Sequence, residues 1–318
     1  MKNKLERNKF IIVLGTTFSG SGAVFDYLKG RGDLYEPLSG QEYLLPILPN
    51  GLMTLEAISG KAFDPAKTEF ALIEFENTAS KLINFWSGIN DLNLNKKLPL
   101  YRSAIEEFIN DVSLVDYPMK LFWQQLNRSP IQQITEKFRN YFSLKKKVSQ
   151  KRLLVSQDKL IIAAQKMHNK MFQPQLEGYP ILLDQAGSGW NPIESTKYFS
   201  DCKIILVTRD PRDQFVDIKN HKRGNSVKGF IDWYKEMQRR LKLIDSPNIF
   251  LIKFEDFVLK NENFLDNLCN YLSISSKTIS SYKSEFSKKN IGKFYEHLEK
   301  NELKMIESNL GQYFYEEK

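Results

Sequence analysis

Cysteine is scarce in this 318-residue chain: Cys202 and Cys269 are the only two, and neither has metal-ligand spacing. That excludes a disulfide framework and leaves buried free thiols in a reducing compartment as the expectation. Three histidines without paired spacing argue against a zinc site, and no metal is expected. Long apolar runs are missing as well, since none reaches the roughly 18 to 20 residues that a membrane helix needs. The basic stretch Met1 to Arg7 precedes an apolar run too short for a secretory signal and without a small-residue cleavage site. It reads as the lead-in to a first strand, and the expectation is a soluble, cytoplasmic protein. Internal repeats and low-complexity linkers are absent, which excludes solenoids and disorder. What is present is a 42% apolar, 13% aromatic composition, enough for one large domain or a domain with an insertion. Lys and Arg outnumber Asp and Glu by 46 to 38, a formal net charge of +8. Such a balance favours an acidic partner, whether nucleotide, anionic sugar, nucleic acid or membrane surface, without choosing among them. Nucleic acid is disfavoured because the aromatics fall at core-like positions and form no stacking platform.

The most informative segment is Gly15-Thr16-Thr17-Phe18-Ser19-Gly20-Ser21-Gly22. It follows the apolar run Phe10 to Leu14 and precedes the helical pattern Ala23 to Leu28, so it reads strand, glycine-rich turn, helix. The glycines permit positive φ and close approach, and the amides at the start of the helix face an oxyanion. Four hydroxyls, on Thr16, Thr17, Ser19 and Ser21, add donors. The G-x-x-x-x-G spacing matches the triphosphate-binding loop, but Ser21 and Gly22 stand where that motif has Lys and then Ser or Thr. A phosphate or sulfate ester is the expected ligand, against the plain alternative of a glycine turn.

Three further apolar runs, Tyr179 to Asp184, Lys203 to Thr208 and Asn248 to Lys253, read as buried parallel strands, each followed by a polar turn and a helical pattern. With Phe10 to Leu14 they predict an α/β fold: a three-layer parallel sheet covered by helices on both faces, with ligands beyond the carboxyl ends of the strands. Residues 40–178 look instead like a large helical insertion, with helices over Phe70 to Trp86, Ala104 to Val112, Ile131 to Phe142 and Lys151 to Phe172. The insertion carries Lys145-Lys146-Lys147 and Lys151-Arg152, near Lys159, Lys166 and Lys170, which reads as a solvated helix face or as a surface for an acidic acceptor. Helices are also expected over Asn263 to Tyr271, Ser276 to Phe286 and Phe294 to Leu310.

The run Ile204 to Asp213 is a strand ending in a cationic turn, where Asp210 can cap and Pro211 can open a helix. Arg209 at the strand tip offers bidentate donors to a phosphate; Arg212 could do the same or pair with Asp213 or Asp217. Structural pairing is an equally plain role for Arg209.

Together, the glycine-rich loop and Ile204 to Arg209 resemble the sulfotransferases that use 3′-phosphoadenosine-5′-phosphosulfate (PAPS). Similar, too, are Ile181-Leu182-Leu183-Asp184-Gln185, Trp233-Tyr234, Leu251 to Phe257 with its aromatic-Glu-Asp triplet, and the late loop Ile291-Gly292-Lys293-Phe294. The resemblance covers residues 9–37 and about 179–311; the insertion matches nothing specific. It implies a single P-loop-like domain in which Thr16, Thr17, Phe18, Ser19, Gly20, Ser21 and Gly22 hold the 5′-phosphosulfate. Arg209 and the residue at Asp217 would then meet the 3′-phosphate, with Gly292 and Lys293 closing over the nucleotide. Sulfuryl transfer to an acceptor hydroxyl, with carbohydrate or glycolipid expected, needs positioning, cationic stabilisation and one general base. Glu36, in the family-like Leu34-Tyr35-Glu36-Pro37, is the candidate base, although it could simply orient a loop or pair with Lys or Arg; His168 and His221 are weaker alternatives.

Two departures stand out. Phe18 occupies the place of a family Lys or Arg, and Asp217 that of a Ser that donates to the 3′-phosphate. A carboxylate about 4 Å from a phosphate charge repels it by roughly 4 kcal/mol at an effective dielectric near 20, about a thousandfold in affinity. Asp217 could instead turn toward Arg212 or Arg223, with Lys219, Lys222, Lys288 or Lys289 supplying cations. The family's Lys-Thr-Pro-like stretch is replaced by Gln185-Ala186-Gly187-Ser188. Two other readings stay open: a P-loop phosphotransferase with Asp184 on magnesium, and a degenerate binding protein that has lost catalysis.

Overall fold

The computed structural model describes residues 8–84, 93–118, 131, 134–135, 150–173, 178–242, 244, 246–259 and 262–316. The basic segments 1–7 and 145–147, and nearly all of the helix expected over Ile131 to Phe142, lie outside the described residues. Two compact units emerge, Met1–Pro46 with Phe172–Lys318, and Ile47–Met171.

The first unit begins with β1 (Lys9–Gly15), the glycine-rich loop and α1 (Ser21–Lys29). The second unit follows, with α2 (Leu52–Ser59), α3 (Pro65–Lys81), α4 (Leu94–Lys97), α5 (Tyr101–Val112), β2 (Ser113–Pro118), β3 (Gln150–Leu154) and α6 (Gln157–Met171). The chain then returns to the first unit through β4 (Ile181–Asp184), α7 (Pro192–Thr196), β5 (Asp201–Thr208), α8 (Pro211–Asn220) and α9 (Val227–Leu241). It ends with β6 (Ile249–Lys253), α10 (Phe254–Leu259), α11 (Glu262–Leu272), α12 (Glu285–Lys288), α13 (Phe294–His297) and α14 (Lys300–Leu310).

The expected parallel sheet is there, four strands in the order β4-β1-β5-β6. Strand β1 is buried on both faces, as its unbroken apolar run requires. Ile11 and Val13 pack with Val24 and Leu28 of α1 and Leu268 of α11. Phe10 points the other way, edge-on to Phe172 and Phe199. Register sets Val13 beside Asp184 and Ile205, and Thr208 beside Lys253, so the carboxyl ends of all four strands come together. Among the described residues, no helix is long and apolar enough to cross a membrane.

Three helix expectations need correction. Lys151 to Phe172 is not one helix: β3 pairs antiparallel with β2, and α6 starts only after Ser156, whose carbonyl accepts the Leu160 amide at 3.0 Å. Ser276 to Phe286 is helical only at its end, because its carbonyls and hydroxyls bond elsewhere. Arg31 donates to the carbonyls of Ser275 and Thr278, Ser280 Oγ to the carbonyl of Tyr27, and the Ser281 amide to the carbonyl of Gly30. Serine-rich segments offer such alternatives to a helix. Phe294 to Leu310 breaks at Leu298, where Glu299 and Glu302 form a capping box that starts α14 afresh. Within the second unit, Phe75 packs on Phe108 at 5.2 Å. Lys166 and Lys170 there pair with Glu107 and Asp111 on α5, the arrangement of a solvated, ion-paired helix face.

Candidate functional site

The cradle is built by conflict between strand and helix geometry at β1–α1. Phe18 and Gly20 take positive φ, 57° and 85°, which reverses the chain between the two elements. Gly20 is the N-cap of α1 and supplies no side-chain cap; the Ala23 amide turns back to the Gly20 carbonyl at 3.1 Å, while those of Ser21 and Gly22 have no partner inside the helix. A Cβ on Gly20 would meet the Phe254 ring at 2.3 Å, and one on Gly15 would meet Ser19 Oγ at 2.2 Å. Side chains at either place would fill the cradle's own wall. Among the described residues Ser19 Oγ, which is buried, has no hydrogen-bond partner, an orphaned donor in a loop of amides and hydroxyls. An oxyanion of a phosphosulfate fits such a set, and these residues are the ones that would hold it.

Two glutamines hold the loop. Gln185, at a positive φ of 47°, accepts the Gly15 amide at 3.3 Å and donates to Ser21 Oγ at 2.9 Å. Gln214 on α8 donates to Thr16 Oγ1 at 3.2 Å and to the carbonyl of Thr17. Phe18 does not stand in for a cation. Its ring lies 4.6 Å from that of His221, and its carbonyl accepts from Arg209.

Arg209 follows β5, where Asp210 caps α8 through the Arg212 amide and Pro211 opens it, as expected. The guanidinium is buried under the Phe254 ring at 5.1 Å. Nη1 donates to the carbonyl of Phe18 at 3.1 Å and to Asp217 Oδ2 at 2.6 Å, and Nη2 donates to the carbonyl of Asn290 at 2.5 Å. Lys293 Nζ donates to Asp217 Oδ1 at 2.9 Å. Burial alone would raise the Asp217 carboxyl, but the hydrogen bonds from Lys293 and Arg209 outweigh it and hold it below the usual carboxylate range. Asp217 therefore turns to Arg209 and Lys293, not to Arg212 or Arg223. Arg212 pairs with Asp210 at 2.7 Å and lies between the rings of Phe294 and Phe314, which leaves its face closed to a phosphate. Lys219 pairs with Glu302 at 2.7 Å.

The late loop is fastened by Asp213, which accepts the amides of Gly292 at 2.8 Å and Phe294 at 3.1 Å. Gly292 itself takes φ 78°. Behind this layer, Glu255 accepts the Asp210 amide at 2.9 Å, and burial pushes its carboxyl up to about 7. Tyr234 donates to the carbonyl of Arg209 at 3.2 Å.

Glu36 lies in the segment that runs along β4, where Tyr35 bridges to Ile181. Its oxygens accept the amides of Leu38 at 2.8 Å and Gly40 at 3.1 Å, with Lys29 at 3.7 Å. Asp184, at the end of β4, has a buried Oδ1 with no hydrogen-bond partner among the described residues. Burial, joined by the charges of Glu42, Asp26 and Glu36, pushes its carboxyl up to about 7. His168, a weaker alternative for the base, is fully buried on α6 in the second unit. Among the described residues no cluster of His, Cys, Asp or Glu could hold a metal ion.

No protein-family model and no curated protein matches the sequence. Solved structures do match. The sulfotransferase domain from the curacin biosynthetic pathway aligns at 14% identity and TM-score 0.42, over 96% of this chain and 99% of that one. The sulfotransferase domain from the Synechococcus PCC 7002 olefin synthase aligns at 13% identity and TM-score 0.42, over 95% and 94%. A sulfotransferase from Mycobacterium avium aligns at 10% identity and TM-score 0.37, over 96% and 76%.

Residues missed from the sequence are Gln214, Asp213, Gly189 and the reach of Gln185. A Cβ on Gly189 would meet the carbonyl oxygen of Gly15 at 2.4 Å, so the turn after β4 packs directly on the cradle. The one signal was position: both turns follow strands that neighbour β1.

Proposed function

We propose that this chain transfers a sulfuryl group from an adenosine 5′-phosphosulfate donor to an acceptor hydroxyl. PAPS is the form of donor that the family resemblance implies, and carbohydrate or glycolipid is the acceptor class expected of it, in a cytoplasmic setting. The observation that carries the reading is Arg209. Its guanidinium donates to the carbonyl of Phe18 in the cradle and to that of Asn290 in the late loop, joining segments 191 and 81 residues away. Three anion-handling segments thus share one buried cation.

In the reaction, the acceptor oxygen attacks sulfur in line, forming the new S–O bond as the bond from sulfur to the bridging phosphate oxygen breaks. The leaving phosphate gains charge where the α1 amides, Ser19 and Ser21 converge, which is stabilisation aimed at the transition state. The acceptor proton goes to a base. Glu36 is proposed for it: each oxygen already accepts one amide and keeps a lone pair.

The test is calorimetric binding of adenosine 3′,5′-bisphosphate, AMP and magnesium ATP. Micromolar binding of an adenosine phosphate without magnesium supports the reading. Preference for magnesium ATP points to a phosphotransferase, and no binding of any points to a fold that has lost its ligand. Glu36→Gln should lower turnover with nucleotide affinity unchanged; full activity in that variant removes Glu36 as the base.

A further inference from the structure

This inference rests on the reading above and concerns the ribose end of the donor. If the cradle takes the 5′-phosphosulfate, Arg209 and Lys293 stand where a 3′-phosphate would be received, yet both already face an anion. Asp217 offers one oxygen to each, Oδ2 to Arg209 at 2.6 Å and Oδ1 to Lys293 at 2.9 Å. The side chains are 3% exposed for Arg209, 10% for Asp217 and 24% for Lys293, so solvent screens this trio little. The guanidinium is further engaged by the fold: Nη1 also donates to the carbonyl of Phe18 and Nη2 to that of Asn290, while Nε is buried without a hydrogen-bond partner among the described residues. A phosphate dianion arriving here meets a carboxylate that two cations keep ionised. It can gain them only by expelling Asp217 from a charge-assisted pair.

We propose that Asp217 is a built-in counter-anion standing in place of the donor's 3′-phosphate, so that this site takes an adenosine 5′-phosphosulfate whose ribose 3′-hydroxyl is free. The chemistry is self-consistent in both directions. A 3′-hydroxyl is a donor and can bond a carboxylate oxygen, whereas a 3′-phosphate brings only acceptors and like charge. Transfer of the sulfuryl group from such a donor breaks the bond between sulfur and the bridging oxygen and leaves AMP. From PAPS the same step leaves adenosine 3′,5′-bisphosphate.

These two leaving groups are the probes. Calorimetry on the full chain compares AMP with adenosine 3′,5′-bisphosphate for the wild type, Asp217→Asn and Asp217→Ser. The wild type should bind AMP at least as tightly as the bisphosphate, and both variants should shift the ratio toward the bisphosphate by about tenfold or more. A wild type that binds the bisphosphate about tenfold more tightly overturns the inference and spares the reading it rests on. So does a ratio that neither variant moves. Binding of neither nucleotide overturns the parent reading, and the inference with it. Should Asp217→Ser melt for want of a partner to Arg209, the isosteric Asp217→Asn and the wild-type ratio still decide.

Discussion

The cradle at the start of α1 and the cation cluster around Arg209 are joined by one hydrogen bond, from Arg209 to the Phe18 carbonyl, yet they are opposite in kind. The cradle is neutral: no side chain caps the start of α1, and the buried hydroxyl of Ser19 has no hydrogen-bond partner among the described residues. The cluster is charged and paired, each cation facing a carboxylate of the chain itself, with Arg209 Nε left without a partner among the described residues. A buried polar group left without a partner costs about 1–3 kcal/mol, so a fold that keeps one has a reason outside its own stability. A buried ion pair already complete has no such need. The difference sets the proposed anion site in backbone dipoles beyond the carboxyl end of β1, while Arg209 also ties the cradle to the late loop.

Breaking the cluster should have the largest effect. Arg209→Ala strands Asp217 with Lys293 alone and frees the cradle from the late loop, and removing one partner of a buried pair costs about 3–5 kcal/mol. A urea titration should show the midpoint fall accordingly. Loss of nucleotide affinity with unchanged stability would mean that Arg209 serves the ligand and not the fold. Breaking the cradle comes next. Gly20→Ala forces a Cβ into a left-handed residue and against the Phe254 ring, for a loss of about 2–4 kcal/mol. Adenosine phosphate binding should vanish with it, whereas Gly22→Ala, with open space around its Cβ, should leave the melting temperature within a degree or two.

The β4 side sharpens the contrast, because it places negative charge beside the cradle. The Asp184 carboxyl lies near 3.8 in the unfolded chain and is pushed up to about 7 in the fold by burial and by the carboxylates of Glu42, Asp26 and Glu36. Its contribution to stability is whole below the unfolded value and is lost as pH rises through about 7, so this group makes the protein less stable at pH 8 than at pH 4. Asp184→Asn should remove that share of the slope and raise stability at pH 8 by about 1–3 kcal/mol. Thermal melts across pH 4 to 8 would measure it. Glu255, pushed up to about 7 as well, keeps part of the slope in the variant. An unchanged slope would place the Asp184 carboxylate in water.

Much of this was legible in the sequence where rules are local. The strand, glycine turn and helix at Phe10 to Leu28, and the Asp210 cap before Pro211, follow from patterns a few residues long, and the elements formed within a residue or two of their expected ends. What escaped depends on groups brought together from afar. Lys293 reaches Asp217 across 76 residues, and nothing in Asp217's own neighbourhood chose it over Arg212. Gln185 holds the cradle because a positive φ at the end of β4 turns it there, which no propensity would predict for glutamine. Ser276 to Phe286 has a helix-compatible pattern, but Arg31, far away in the chain, takes the carbonyl of Thr278 and that of Ser275 just before the segment. In the second unit the antiparallel partner of Lys151 to Leu154 lies far back along the chain, with Ser113 opposite Leu154 and Asp116 opposite Arg152. Helical periodicity in the lysine-rich stretch concealed it.

The finest test is a single oxygen. Ser19 Oγ is buried and unpartnered in the free protein, so Ser19→Ala removes a group that folding leaves unsatisfied, and stability should hold or rise by up to about 1 kcal/mol. In the complex the same hydroxyl is expected to donate to an oxyanion, a charged acceptor, so affinity for AMP should fall about tenfold in the same variant. Opposite signs in the two measurements identify a hydroxyl held for a ligand. A loss in both would mean that Ser19 has a partner within the protein, and that the contrast between an open cradle and a closed cluster is weaker than its geometry.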